Sequence, residues 1–89
     1  MNIPETDRDD IIRRLRRVEG QIRGVQQMIE DERECNDILT QFAAANRALS
    51  RAGFKFLSAT MDQCRLHPDE ADESGYTYET LEKMFLRLG

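Results

Sequence analysis

Ile11-Ile12-Arg13-Arg14-Leu15-Arg16-Arg17-Val18-Glu19-Gly20-Gln21-Ile22-Arg23-Gly24-Val25-Gln26-Gln27-Met28-Ile29 is the most informative stretch of this chain for its fold. Its apolar residues Ile11, Leu15, Val18, Ile22, Val25 and Ile29 follow a 4-3-4-3-4 spacing. That is an unbroken heptad stripe, the pattern by which one helix packs on another at a small crossing angle. Extended in both directions, it predicts a first helix from about Asp7 to Asp31. Thr6 is the expected N-cap, with Asp9 three residues on where a capping box places an acid. The acidic stretch from Glu30 to Glu34 is expected to hold the turn. A second helix, from about Cys35 to Cys64, carries the stripe Leu39, Phe42, Leu49 and Phe56, with Ile38, Ala45 and Ala52 alongside. It ends before Pro68, which cannot continue a helix. Leu66 to Gly75 reads as an acidic loop. A short third helix follows from about Thr77 to Leu88, with Leu81, Met84, Phe85 and Leu88 on one face.

These lengths have a consequence. A helix of about 28 residues is roughly 42 Å long, whereas a compact globule of this chain would have a radius of gyration of only about 12 Å. Two long helices and a short one cannot bury both apolar stripes in one subunit. The expectation is therefore an all-α chain: a single domain over residues 1–89, three helices, with the two long ones antiparallel. A second copy would complete a four-helix bundle. At 89 residues the chain is small enough that oligomerisation is a natural remedy for a modest core.

No apolar run approaches the length of a membrane span, and the N-terminus MNIPETDRDD is too acidic for a signal peptide. A cytoplasmic protein is expected, and there thiols are kept reduced. The two cysteines, Cys35 and Cys64, then read as a reactive or metal-binding pair, against the plainer alternative of two unrelated core residues. They stand 29 positions apart, at opposite ends of the second helix. If that helix is continuous, they lie more than ~40 Å apart, whereas a disulfide needs Cα atoms about 5.5 Å apart. In an antiparallel pairing of two such helices, Cys35 of one subunit would face Cys64 of the other. His67 follows three residues after Cys64, either near the same site or as a solvated residue before Pro68. Zinc is not expected, because it wants four ligands, or three and a water. Two thiols without a good third ligand suit redox or sulfur chemistry, with Arg33 and Arg65 placed to lower the thiol pKa values.

The net charge of −4 argues against a nucleic-acid partner, but the distribution argues for one. Residues 11–29 hold Arg13, Arg14, Arg16, Arg17 and Arg23 against the single acid Glu19. Acids are segregated elsewhere: Asp7, Asp9 and Asp10, the turn, and Asp69 to Glu73. Attraction to phosphate is local, screened beyond about 8 Å at physiological salt, so a basic face on an acidic protein can bind DNA.

The stretch Leu15 to Val25, with Cys35 in the context Glu34-Cys35-Asn36-Asp37-Ile38-Leu39-Thr40-Gln41, resembles the copper-sensitive operon repressor (CsoR) family. The resemblance runs from the first helix through Cys64. It implies an all-helical dimer of dimers that represses transcription until an inducer binds. Copper-sensing members use a Cys-His-Cys site with the histidine four residues before the second cysteine; here that position is Thr60. The remaining two-cysteine pattern is similar to the persulfide-sensing branch, the CsoR-like sulfurtransferase repressors, and implies a repressor released when Cys35 and Cys64 of two subunits are cross-linked by reactive sulfur species. On that reading the chain has no cofactor and is no enzyme. The alternative within the family is Cu(I) held by Cys35, Cys64 and His67.

The resemblance also implies DNA binding through a broad positive face that includes Arg14 and Arg51. Arg47, Arg51 and Lys55 are spaced i, i+4, i+8, one row on a helix. With Arg13, Arg14 and Arg17 they form the expected operator-binding patch. Gly20 and Gly24 each cost about 1 kcal/mol of helix stability relative to alanine, which suggests close packing of another helix or of DNA. Tyr76, Tyr78, Glu79 and Glu82 surround the third helix, where the family can link the sensing site to the DNA face. Two readings outside this class are a thiol oxidoreductase or sulfurtransferase, for which no Cys-x-x-Cys motif exists, and a helical interaction module with no DNA role.

Overall fold

A computed structural model describes residues 3–87, and every regular element among them is a helix. Helix α1 runs over Glu5–Glu30, α2 over Cys35–Leu66, α3 over Pro68–Ser74 and α4 over Tyr78–Leu86. The expected all-α class and the two long helices are found, the latter within two residues of the expected bounds. The chain reverses between them at Asp31 to Glu34, with Glu32 in a left-handed conformation (φ 54°).

The start of α1 differs from expectation. Pro4, not Thr6, is the N-cap, and no side chain caps the helix there. Thr6 lies one residue inside. The first turn is stabilised instead by Glu5 and Asp7, whose charges suit a helix N-terminus.

The expected loop from Leu66 to Gly75 also differs, because most of it is α3. Pro68 ends α2, since the residue before a proline is steered away from helical geometry, and His67 sits at φ −134°, ψ 66°. The same Pro68 opens α3 at a first-turn position where its missing N–H is no loss. Gly75 closes α3 at φ 81°, as a left-handed C-cap. Thr77 then caps α4 in a reciprocal box with Thr80. Among the described residues the subunit thus has four helices rather than the expected three. Leu88, expected at the end of the last helix, lies outside the described residues.

The seam between α1 and α2 repeats every seven residues on both sides. Ile11, Val18 and Val25 of α1 are buried, as are Ala45, Ala52 and Ala59 of α2. The small alanines let the helices approach closely. The larger apolar stripe of α2 lies outside this seam: Leu39, Phe42, Leu49 and Phe56 are all about half exposed, at 48–58%. On α1 the stripe also drifts. Ile22 and Ile29 are exposed, while Gln21 and Met28 are half-buried. A straight helix with 3.6 residues per turn loses register with a 3.5-residue pattern in this way. Gln21 Oε1 is buried there with no hydrogen-bond donor.

A second cluster forms where α3 and α4 fold back on the last turns of α2. It consists of Leu57, Cys64, Ala71 and Leu81, with Met61 packed against it. Phe54 of α2 meets Phe85 of α4 edge to face, with ring centroids 6.2 Å apart. This small cluster positions one of the two thiols.

Candidate functional site

Cys35 is the first residue of α2 and is exposed. Cys64 lies near the other end of the same helix and is buried. Because α2 is continuous over 32 residues, the two thiols of one subunit are separated by roughly 44 Å of helix rise. The sequence-predicted pair is therefore not brought together within the subunit.

Cys64 is held by the segment that covers it. Its S–H donates to the backbone carbonyl of Tyr76, 2.8 Å away, on the turn between α3 and α4. Burial pushes this thiol above its ordinary value of 9.0, against a lesser opposing pull from a backbone hydrogen bond. The expectation that Arg65 lowers it fails, because Arg65 points to Asp62 at 3.8 Å and both side chains are exposed. A depression beside Cys64 is lined by Pro68, Ala71, Thr77, Tyr78 and Glu79. His67 is exposed at the α2–α3 junction and is not among them.

Thr60 sits one turn before Cys64 and is 2% exposed. Its hydroxyl donates to the carbonyl of Leu57 at 2.8 Å, an ordinary back-bond within the helix. Thr60 is thus sealed in the helix packing. Among the described residues, no three of His, Cys, Asp and Glu cluster within one subunit as a metal site would need.

The basic residues gather better. Arg14 of α1 and Ser50, Arg51, Phe54, Lys55 and Ser58 of α2 line one groove of about 560 Å³. Arg13, Arg17 and Arg47 are exposed. Asp10, read in the sequence only as one of several acids before α1, stands inside this patch. Arg14 Nε donates to its Oδ2 at 3.0 Å, and Arg13 Nη2 donates to its Oδ1. The Arg14 hydrogen bond holds the Asp10 carboxyl below its ordinary 3.8; partial desolvation opposes this, and the charges of Arg14, Arg13 and Lys55 add to it. The i, i+3, i+4 spacing of Asp10, Arg13 and Arg14 was the sequence signal for this trio. Gly20 and Gly24 have no such role inside the subunit. A β-carbon at Gly24 would meet nothing within 4 Å, and one at Gly20 only the far end of Arg23.

The profile of the family described as "metal-sensitive transcriptional repressor" matches residues 7–87, nearly the whole chain. The chain belongs to that family. The chain is similar to the copper-sensing transcriptional repressor RicR of Mycobacterium tuberculosis, 42% identical over 57 residues. It is also similar to the copper-sensing transcriptional repressor CsoR of Bacillus subtilis, 40% identical over 58 residues. These alignments take in 64% and 65% of this chain and 59% and 57% of the relatives, so the chain spans less than two thirds of either relative's length. A crystal structure of the copper-sensing repressor CsoR with Cu(I), from Geobacillus thermodenitrificans, has the same fold. It matches with a TM-score of 0.69 at 32% identity, over 99% of this chain and 88% of that one.

The expectation that no cofactor is involved is corrected by these relatives. Two are named for copper sensing, and the solved structure contains Cu(I). Thr60 in place of a histidine removes one ligand and leaves both thiols. Soft thiolates alone already suit Cu(I). Among the described residues, no helix is long and apolar enough to cross a membrane.

Proposed function

We propose that this repressor-family chain binds operator DNA and is released by Cu(I), which Cys35 of one subunit and Cys64 of another would hold. The observation that carries the reading is the placement of both thiols at opposite ends of one continuous α2, along which large apolar residues lie uncovered. An antiparallel second copy covers that face and brings each Cys35 to the other subunit's Cys64. A dimer of dimers follows from the family resemblance. The donor set fits Cu(I), because two thiolates are soft ligands. Held by these two residues, Cu(I) would supply a soft acceptor for their thiolates. Cys64 must then give up the proton it donates to Tyr76, which removes one tie between α2 and the turn that leads into α4. His67 is exposed and off the Cys64 depression, so the reading rests on the two thiols. On the DNA side, the groove of Arg14, Arg51 and Lys55, flanked by Arg13, Arg17 and Arg47, takes phosphate. The role is that of a switch and not of a catalyst.

The test is a competition titration against a Cu(I) chelator, with duplex binding followed in the same samples. One ion per subunit, loss of Cu(I) binding in both Cys35→Ala and Cys64→Ala, and release of DNA on loading are expected. Chelator competition that is the same in the wild type and Cys64→Ala sinks the proposal.

A second reading is favoured by Thr60, whose buried, back-bonded hydroxyl offers no third ligand. The same two thiols can reduce an organic persulfide. One thiolate takes its outer sulfur and releases the organic thiol. The other thiolate then displaces hydrogen sulfide and leaves a Cys35–Cys64 disulfide between subunits. A covalent dimer on a non-reducing gel after persulfide treatment, together with DNA release and no competitive Cu(I) binding, selects this reading.

A further inference from the structure

Asp10 presents a puzzle for a phosphate-binding face. It is a carboxylate placed among the cations that meet the DNA, and simple electrostatics makes it a liability. Its geometry suggests otherwise. Its side chain is the least exposed of the trio, at 22%, against 45% for Arg14 and 73% for Arg13. It engages Arg14 through Nε, at 3.0 Å, and not through the terminal amino groups. No bond to either Nη of Arg14 is found among the described residues. The guanidinium is thus held from behind, and its two amino groups remain for a forked contact with a phosphate. Arg14 lines the same groove as Arg51, Lys55 and the hydroxyl-bearing Ser50 and Ser58. The influence of Lys55 on the Asp10 carboxyl places α2's cation within electrostatic reach across the helix pair.

We infer that Asp10 is a positioning residue for DNA binding, which orients Arg14 toward a backbone phosphate in the groove it shares with Arg51 and Lys55. This rests on the DNA-binding reading above. It predicts a sign opposite to that of charge alone. Removing a carboxylate from a phosphate-binding face raises affinity if the carboxylate only repels. It lowers affinity if the carboxylate holds the arginine in place.

The experiment compares the wild type with Asp10→Ala, Asp10→Asn and Asp9→Ala by fluorescence anisotropy. The probes are a duplex from upstream of the protein's own coding region and a random-sequence duplex, each at several salt concentrations. Circular dichroism and subunit assembly confirm that each variant is folded. Asp9 is the control. It carries the same charge next door, is 68% exposed, and among the described residues pairs with Arg8, at 3.9 Å. Asp9→Ala is expected to bind DNA at least as tightly as the wild type. Asp10→Ala is expected to bind about tenfold more weakly, with a salt slope shallower by about 0.9 for each phosphate that is no longer neutralised. Asp10→Asn, which keeps an acceptor for Nε, recovers most of the loss. A wild type that binds duplex while Asp10→Ala binds equally or more tightly overturns the inference alone. A wild type that binds no duplex overturns the DNA-binding reading, and this inference with it.

Discussion

Thr60 and Cys64 occupy one face of α2, a turn apart, and each spends its hydrogen on a carbonyl. Thr60 bonds back into its own helix, whereas Cys64 bonds across to Tyr76 on a different segment. That difference ties Cys64 to the α3–α4 turn and leaves Thr60 tied within α2. The sequence shows both residue types and their spacing, but not the direction in which either hydrogen points. Asp10 is the other residue whose role depends on its partners. Its carboxyl, held below 3.8 chiefly by the Arg14 hydrogen bond, contributes stability above that ordinary value. The contribution declines as the pH falls from 3.8 towards the lowered folded value and is gone below it. A carbon-13 titration of the Asp10 carboxyl should therefore show its midpoint below 3.8. A midpoint at or above 3.8 means that the Arg14 bond does not hold in solution.

At the scale of elements, the short α3–α4 segment governs access to the buried thiol. Thr77 accepts from the backbone of Thr80, and Thr80 Oγ1 accepts from the backbone of Thr77 and reaches the carbonyl of Gly75 at 2.9 Å. These bonds tie down the turn that carries the Tyr76 carbonyl. Thr77→Ala should destabilise the start of α4 by about 1 kcal/mol, the usual cost of removing an N-cap. The readout is alkylation by iodoacetamide: Cys64 should react faster in the variant, while the exposed Cys35 reacts at its wild-type rate. An unchanged Cys64 rate means that α4 does not gate the thiol. Helices α1 and α2 were legible in the sequence because a heptad pattern sustained over many turns leaves no other local solution. The α3 helix was not, since Asp69 to Glu73 is acidic with few apolar residues and reads as solvated loop. Its signals were Pro68 at the start and Gly75 at the end, and the proline was read only as the stop of α2.

At the scale of the whole molecule, the subunit measures 54 × 25 × 14 Å with a radius of gyration of 16.7 Å, well above the ~12 Å of a compact chain of this length. It is a slab with one apolar edge left uncovered. Ile22, Phe42 and Leu49 border a shared depression on that edge, and Leu39 and Phe56 extend it along α2. Contiguous apolar surface of this kind marks an association site. Leu49→Glu should dissociate the assembly without unfolding α1 or α2, because Leu49 is 48% exposed in the subunit. Sedimentation velocity checks this. A variant that keeps the wild-type mass shows that the face is not the subunit contact.

Residue order alone was enough for the helical class, the lengths of α1 and α2, the separation of Cys35 and Cys64, and the row of Arg47, Arg51 and Lys55. All four follow from local rules, since rise and turn per residue are the same wherever a helix lies. Which face of α2 meets α1 depended on packing in three dimensions. Small alanines permit a closer approach than leucine and phenylalanine, so the larger side chains are turned outward. The same holds for the burial of Cys64, its raised pKa and its bond to Tyr76, because α3 and α4 must fold back over α2 before that pocket exists. The thiols' separation was a matter of counting residues; the difference between them arises from contacts across the chain.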